Sequence, residues 1–112
     1  MDNRKNDKYF AQKAIDNIDL IQKYIKGKNY DEFIEDTELN DAIMFRLVQL
    51  IENVKNISQA FKDEHNQIPW VKIIGFRNGI VHEYGETDYH VVYEVITINL
   101  IELKSTLELI TE

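Results

Sequence analysis

Between Leu39 and Phe61 the chain returns to an apolar side chain at Leu39, Ile43, Leu47, Leu50, Val54, Ile57 and Phe61, in steps of 4, 4, 3, 4, 3 and 4. That spacing follows one face of an α-helix, so the segment is expected to be a long amphipathic helix whose stripe other elements must cover. Thr37 stands in position for an N-cap. The polar run Lys62-Asp63-Glu64-His65-Asn66-Gln67 ends the pattern, and Pro69 suits the first turn of a following helix, where its missing N–H costs nothing.

The rest of the chain reads in the same period. Ala11, Ala14, Ile18, Ile21 and Ile25 form a helical stripe over about residues 7 to 26, with Gly27 as its C-cap glycine and Lys23 and Lys26 complementing the dipole. Asn29 can cap a short helix that turns Tyr30, Phe33 and Ile34 onto the core. Trp70, Ile73, Ile74, Arg77, Ile80, Val81 and Tyr84 follow at helical steps, with Gly85 as a stop. The segment Val91-Val92-Tyr93-Glu94-Val95-Ile96-Thr97-Ile98 is dense in β-branched residues that favour strands. Its pattern continues through Leu100, Leu103, Leu107 and Ile110, too long for a strand, so a helix capped by Thr87 or Asp88 is expected. The expected fold is all-α: one domain over residues 1–112, an up-and-down bundle of four main helices plus a short connecting helix.

Composition narrows the function. Hydrophobic residues make up 44% and charged residues 29%, as in a folded soluble protein. The chain has no cysteine, which excludes a disulfide framework and thiolate metal sites. It also lacks an apolar run of membrane-spanning length and a leader-like N-terminus, so no membrane association is expected and the cytoplasm is the expected location. A net charge of −7 argues against tight non-specific binding of a polyanion. A local basic site is still allowed, because screening confines strong charge effects to about 8–10 Å.

The histidines at His65, His82 and His90 do not have metal-binding spacing, and His65 and His90 read as solvated surface residues. Gly75 and Gly79 lack the ending of a phosphate-binding loop. What remains is Arg77-Asn78 followed by His82 and Tyr84. Histidine moves protons near neutrality, and a guanidinium fits phosphate oxygens. RNA carries its own nucleophile, the 2′-hydroxyl, so such a pair covers what its cleavage needs, without a cofactor. Asn78 and His82 lie four apart on one helix face, where the amide can orient the imidazole. Arg77 and His82 lie about 140° apart around an ideal helix. They converge if the helix distorts near Gly79, if the arginine reaches around, or if two subunits face each other. Taken alone, an arginine and a histidine five residues apart are more often a surface ion-pairing residue and a helix-end histidine, with Tyr84 a core aromatic.

The pattern does not stand alone. Ile68-Pro69-Trp70, Ile74-Gly75, Arg77-Asn78, His82 and Tyr84 closely resemble the signature of the HepT-like toxins of the HEPN superfamily. The resemblance extends to the Tyr24/Gly27 region before Phe33, the Arg46-Leu47 to Glu52 stretch and the aliphatic last helix, and thus spans nearly the whole chain. Ile51 stands where members of that family often have glycine, a change on the helix-packing face. The resemblance implies a metal-independent endoribonuclease toxin of a type VII toxin–antitoxin system, a homodimer with the motifs of both subunits in an interface cleft. Arg77 would bind the scissile phosphate, His82 would transfer protons, Asn78 would support the site, and cleavage would leave a 2′,3′-cyclic phosphate. Its partner would be an MNT-type nucleotidyltransferase antitoxin that inactivates the toxin by transferring AMP to Tyr84. An adenylate two residues from His82 would block an anionic substrate by bulk and repulsion.

Two readings of Glu52 stand: a residue facing the site that holds Arg77 or His82, and a solvated acid. Glu83 and Glu86 read as surface charges. The RNA target, tRNA being one candidate, is not specified by the sequence. Two other functions compete with the ribonuclease: a non-catalytic helical partner subunit of a nucleotidyltransferase, and a helical dimerisation module without a site. The presence of both Arg77 and His82 argues against the first of these.

Overall fold

The computed structural model describes residues 6–82 and 87–112, with the side chains of 81 and 82 outside that description. Each stretch of helical period forms a helix: α1 (Asp7–Ile25), α2 (Tyr30–Glu35), α3 (Thr37–Lys55), α4 (Gln59–Glu64), α5 (Trp70–His82), α6 (Tyr89–Glu94) and α7 (Leu100–Thr111). A π-helical turn, Val95–Asn99, joins α6 to α7, so the last helix is continuous from Tyr89 to Thr111. The described residues contain no strand, and the architecture is the expected all-α bundle of four main helices.

Local chemistry sets most of the ends. Gly27 closes α1 with a φ of 75°, a left-handed conformation that costs glycine little. Asn29 starts α2 with a capping box: its side chain accepts from Glu32 N while the Glu32 carboxylate accepts from Asn29 N. Asp88 caps α6 by accepting from the His90 and Val91 amides. At α3 the cap is Asp36, whose carboxylate accepts from Leu39 N; Thr37, the expected cap, is already the first helical residue.

Two departures from the expected helices have physical causes. The apolar period runs unbroken through Ile57 and Phe61, yet α3 stops at Lys55 and a separate short helix, α4, starts at Gln59. Ser58 is the N-cap of α4, its hydroxyl accepting from Phe61 N at 3.3 Å. The buried Asp7 carboxylate pins Ser58 from the far end of the sequence, accepting from Ser58 N at 2.8 Å and from its hydroxyl at 2.7 Å. The second departure is the π turn, which falls in the β-branched run. There Thr97 donates its hydroxyl to Tyr93 O at 2.6 Å, and the wider turn lets both Val95 and Ile96 face the core.

α1 packs between α3 and α7, and α5 packs on another side of α3. Ala14, Ile18, Ile21, Ile43, Leu47, Leu50, Leu100 and Leu103 form the centre of one contiguous core. Ile51 is buried there with the rest, on the packing face. Trp70 anchors the start of α5, its indole N–H reaching the carbonyls of Lys62 and His65. From α2, Phe33 enters the core, whereas Ile34 stays exposed, contrary to expectation. Of the two histidines read as solvated, His90 is exposed and stacks on Tyr30 at 4.1 Å, and His65 is half-buried, 4.3 Å from the Phe61 ring. No helix among the described residues is long and apolar enough to cross a membrane.

Asp7 ties the first turn of α1 to the first turn of α4, so Asp7→Ala leaves a buried amide and hydroxyl without their acceptor. It is expected to cost about 1–3 kcal/mol in urea unfolding. Tyr9→Ala, on the exposed side of the same helix, is expected to cost roughly 0.5 kcal/mol or less.

Candidate active site

Trp70, Ile73, Arg77 and Ile80 succeed one another in steps of 3, 4 and 3 and so share the face of α5 that turns towards the core. A guanidinium in an apolar stripe needs a partner, and α3 supplies it. Arg77 Nε lies 2.7 Å from Glu52 Oε1. Both of these atoms are sealed from solvent, and the contact is a close ion pair rather than an aligned hydrogen bond. The remainder of each side chain reaches the surface, with exposures of 37% for Arg77 and 40% for Glu52. Of the two readings of Glu52, the geometry selects the one in which it holds Arg77.

The orientation has a chemical consequence. The contact with the carboxylate is made through Nε, and the Nη end of the fork, the end that suits phosphate oxygens, keeps donors of its own. Nη1 approaches Asn78 Oδ1 at 3.4 Å, so the Asn78 carbonyl faces the arginine. His82 is the last residue of α5, and its imidazole lies outside the described side chains. Tyr84, with Glu83 and Glu86, lies outside the described residues.

α5 runs as regular α-helix through Gly79, which has an ordinary negative φ. The backbone register therefore keeps positions 77 and 82 about 140° apart, and a bend at Gly79 does not bring them together. Positions 71, 75, 78 and 82 form a second stripe on α5, on which Val71 is 88% exposed. On α3, positions 45, 48 and 52 share a stripe, so the exposed Phe45 and the half-buried Val48 continue the face that carries Glu52.

The sequence did not reveal a cleft of about 370 Å³ between α5 and the start of α6, lined in part by Gly75 and Gly79. The signal available was the pair of glycines four apart within a helical pattern. Among the described residues no group of three His, Asp or Glu is arranged to hold a metal ion.

A helical bundle carrying this arginine, asparagine and histidine on one helix defines the class, and sequence comparison defines the family. The family described as Ribonuclease HepT-like matches residues 14–110, and the chain belongs to it. It is 27% identical over 100 residues to a protein of Caldanaerobacter subterraneus subsp. tengcongensis named "Putative RNase", covering 89% of each chain. It is 25% identical over 105 residues to a Thermococcus cleftensis protein named "Probable ribonuclease HepT", covering 94% of this chain and 96% of that one. A Methanocaldococcus jannaschii protein named "Gamma-glutamylcyclotransferase and putative RNase" is 29% identical over 97% of this chain, which spans 49% of that protein. No solved structure matches the chain.

The pair's partial exposure sets its energetic weight. Glu52→Gln keeps an acceptor beside Nε and is expected to lower stability by about 1 kcal/mol or less. Glu52→Ala strands the sealed N–H and is expected to cost about 1–3 kcal/mol, the order to be checked by urea denaturation of both variants.

Proposed function

We propose that this chain is a metal-independent endoribonuclease toxin whose site forms where two copies meet. The observation that carries the reading is Arg77, anchored through Nε on Glu52 so that its Nη end is left to bind a phosphate. On this reading the 2′-oxygen attacks the adjacent phosphorus and the bond to the 5′-oxygen breaks. Arg77 balances the charge gathering on the non-bridging oxygens. His82 of the facing copy takes the 2′-hydroxyl proton, and the imidazolium so formed gives that proton to the departing 5′-oxygen. The products are a 2′,3′-cyclic phosphate end and a 5′-hydroxyl end.

The dimer is supported by two facts. Regular helix at Gly79 leaves Arg77 and His82 of one chain on different faces, and the stripes holding Glu52 and position 82 also carry exposed Phe45 and Val71. Large exposed apolar side chains beside a polar site suit an interface between copies. Tyr84 is the proposed control point. A nucleotidyltransferase antitoxin would transfer AMP from ATP to its hydroxyl, releasing pyrophosphate and setting a charged, bulky group two residues from His82. Cytoplasmic RNA is the proposed substrate, with tRNA one candidate.

The test is digestion of RNA in EDTA, with end-group analysis of the products. The wild type is expected to cut and leave cyclic phosphate ends. Arg77→Ala and His82→Ala are expected to lose at least a hundredfold in rate while keeping the helical circular-dichroism spectrum and the dimer. Full activity in both variants would refute the assignment.

A further inference from the structure

We infer that the cleft between α5 and α6 is a nucleobase pocket, which seats a base of the RNA next to the phosphate that is cut. The inference rests on the ribonuclease reading and adds to it a recognition site that the Arg77/His82 pair does not provide.

The cleft's volume of about 370 Å³ falls within the range of small-molecule sites. Its walls are apolar, with Phe76, Ile80 and Val91 among them, and Phe76 is a half-buried aromatic ring of the kind on which single-stranded bases stack. Gly75 and Gly79 also line it. Glycine inside a helix weakens it relative to alanine. Here the fold does not ask for glycine: a Cβ at either position would meet nothing within 4 Å. What the two glycines leave is a flat strip of backbone, over which a planar ring can lie close.

The rim carries opposite charges. Asp88 lines the cleft, held by cap bonds from His90 N at 3.0 Å and Val91 N at 3.4 Å, and a carboxylate there accepts from an exocyclic amino group. Lys72 lines the other side, 3.8 Å from Glu94, and its ammonium can donate to a base carbonyl or ring nitrogen. Apolar walls, an aromatic face and a few polar groups at the edge match a base better than a bare phosphate.

Register connects the pocket to the chemistry. Position 82 follows Gly79 by three residues and Gly75 by seven, on the same side of α5, an axial rise of about 4.5 and 10.5 Å. A base in the cleft and a phosphate at His82 can therefore belong to the same nucleotide or to adjacent ones. The net charge of −7 makes such a pocket useful, because this protein cannot draw affinity from many phosphate contacts and gains it from a base.

The experiment is titration of the ¹⁵N-labelled full chain with AMP, CMP, GMP and UMP, and with ribose 5-phosphate as the base-free probe. Saturable shifts of the Gly75 and Gly79 amides are expected with at least one nucleotide and not with ribose 5-phosphate. Gly79→Leu, whose Cβ meets nothing within 4 Å, is expected to fill the cleft, abolish the Gly75 shift and lower kcat/KM on RNA at least tenfold; Gly75→Leu serves as a second filling variant. No shift with any of the four, equal shifts with ribose 5-phosphate, or undiminished binding in both filled variants would overturn the pocket. Wild-type cleavage in EDTA without base-dependent shifts removes the pocket alone. Base-dependent shifts in a protein that cuts no RNA remove the ribonuclease reading alone.

Discussion

The buried stripe of α3 is packed by α1 on one side and by α5 on another, and the placement of Glu52 beside Arg77 depends on it. Leu47, Leu50 and Val54 fill the core while Glu52, on the flank of the same helix, meets Arg77. The core thus fixes the distance at which a carboxylate stands from the α5 arginine. The net stability from that ion pair is small, because both side chains are more than a third exposed. Its importance is positional: it holds Arg77 through Nε at a fixed place on the flank of α3.

The same packing limits what one chain can do. α5 stays regular through Gly79 because an α-helix with a negative φ there satisfies its own backbone, and so positions 77 and 82 stay on different faces. Within one subunit positions 77 and 82, proposed to bind the phosphate and to transfer the proton, are offset rather than opposed. In the proposed dimer a second copy, packed against the faces bearing Phe45 and Val71, resolves the offset by setting the motif of one chain against that of the other. The family of ribonucleases to which the chain belongs is consistent with that chemistry, and the cleft beside α5 gives it a place to hold a base.

Much of this fold was legible in the sequence because it follows from local rules. Period 3.6 located the four main helices, and Gly27, Asn29 and Asp88 mark their ends by conformations and cap bonds spanning a few residues. What was not legible depends on distance along the chain. The end of α3 at Lys55 was hidden because Ile57 and Phe61 continue the apolar period, and the deciding contact comes from Asp7, 51 residues before Ser58. The cap at Asp36 rather than Thr37 is a one-residue shift between two capable side chains. The π turn lay in a β-branched run that periodicity assigned to helix without specifying its winding. At the site, the motif was readable and one reading of Glu52 had it holding Arg77, but only the packing of α3 on α5 selects that reading. The cleft depends on how α5 packs beside the start of α6, which no local rule specifies, and its two glycines were weighed only as a phosphate-binding loop and, at Gly79, as a helix bend.

The central claim, that Arg77 of one copy works with His82 of another, is tested most directly by mixing two inactive variants. Arg77→Ala and His82→Ala subunits, unfolded and refolded together, form mixed dimers in which one of the two shared sites keeps both groups. The account predicts that RNA cleavage in EDTA returns in the mixture, to about half the wild-type rate per mixed dimer, while each variant alone stays inactive. A mixture shown to contain mixed dimers but no more active than its components would contradict it.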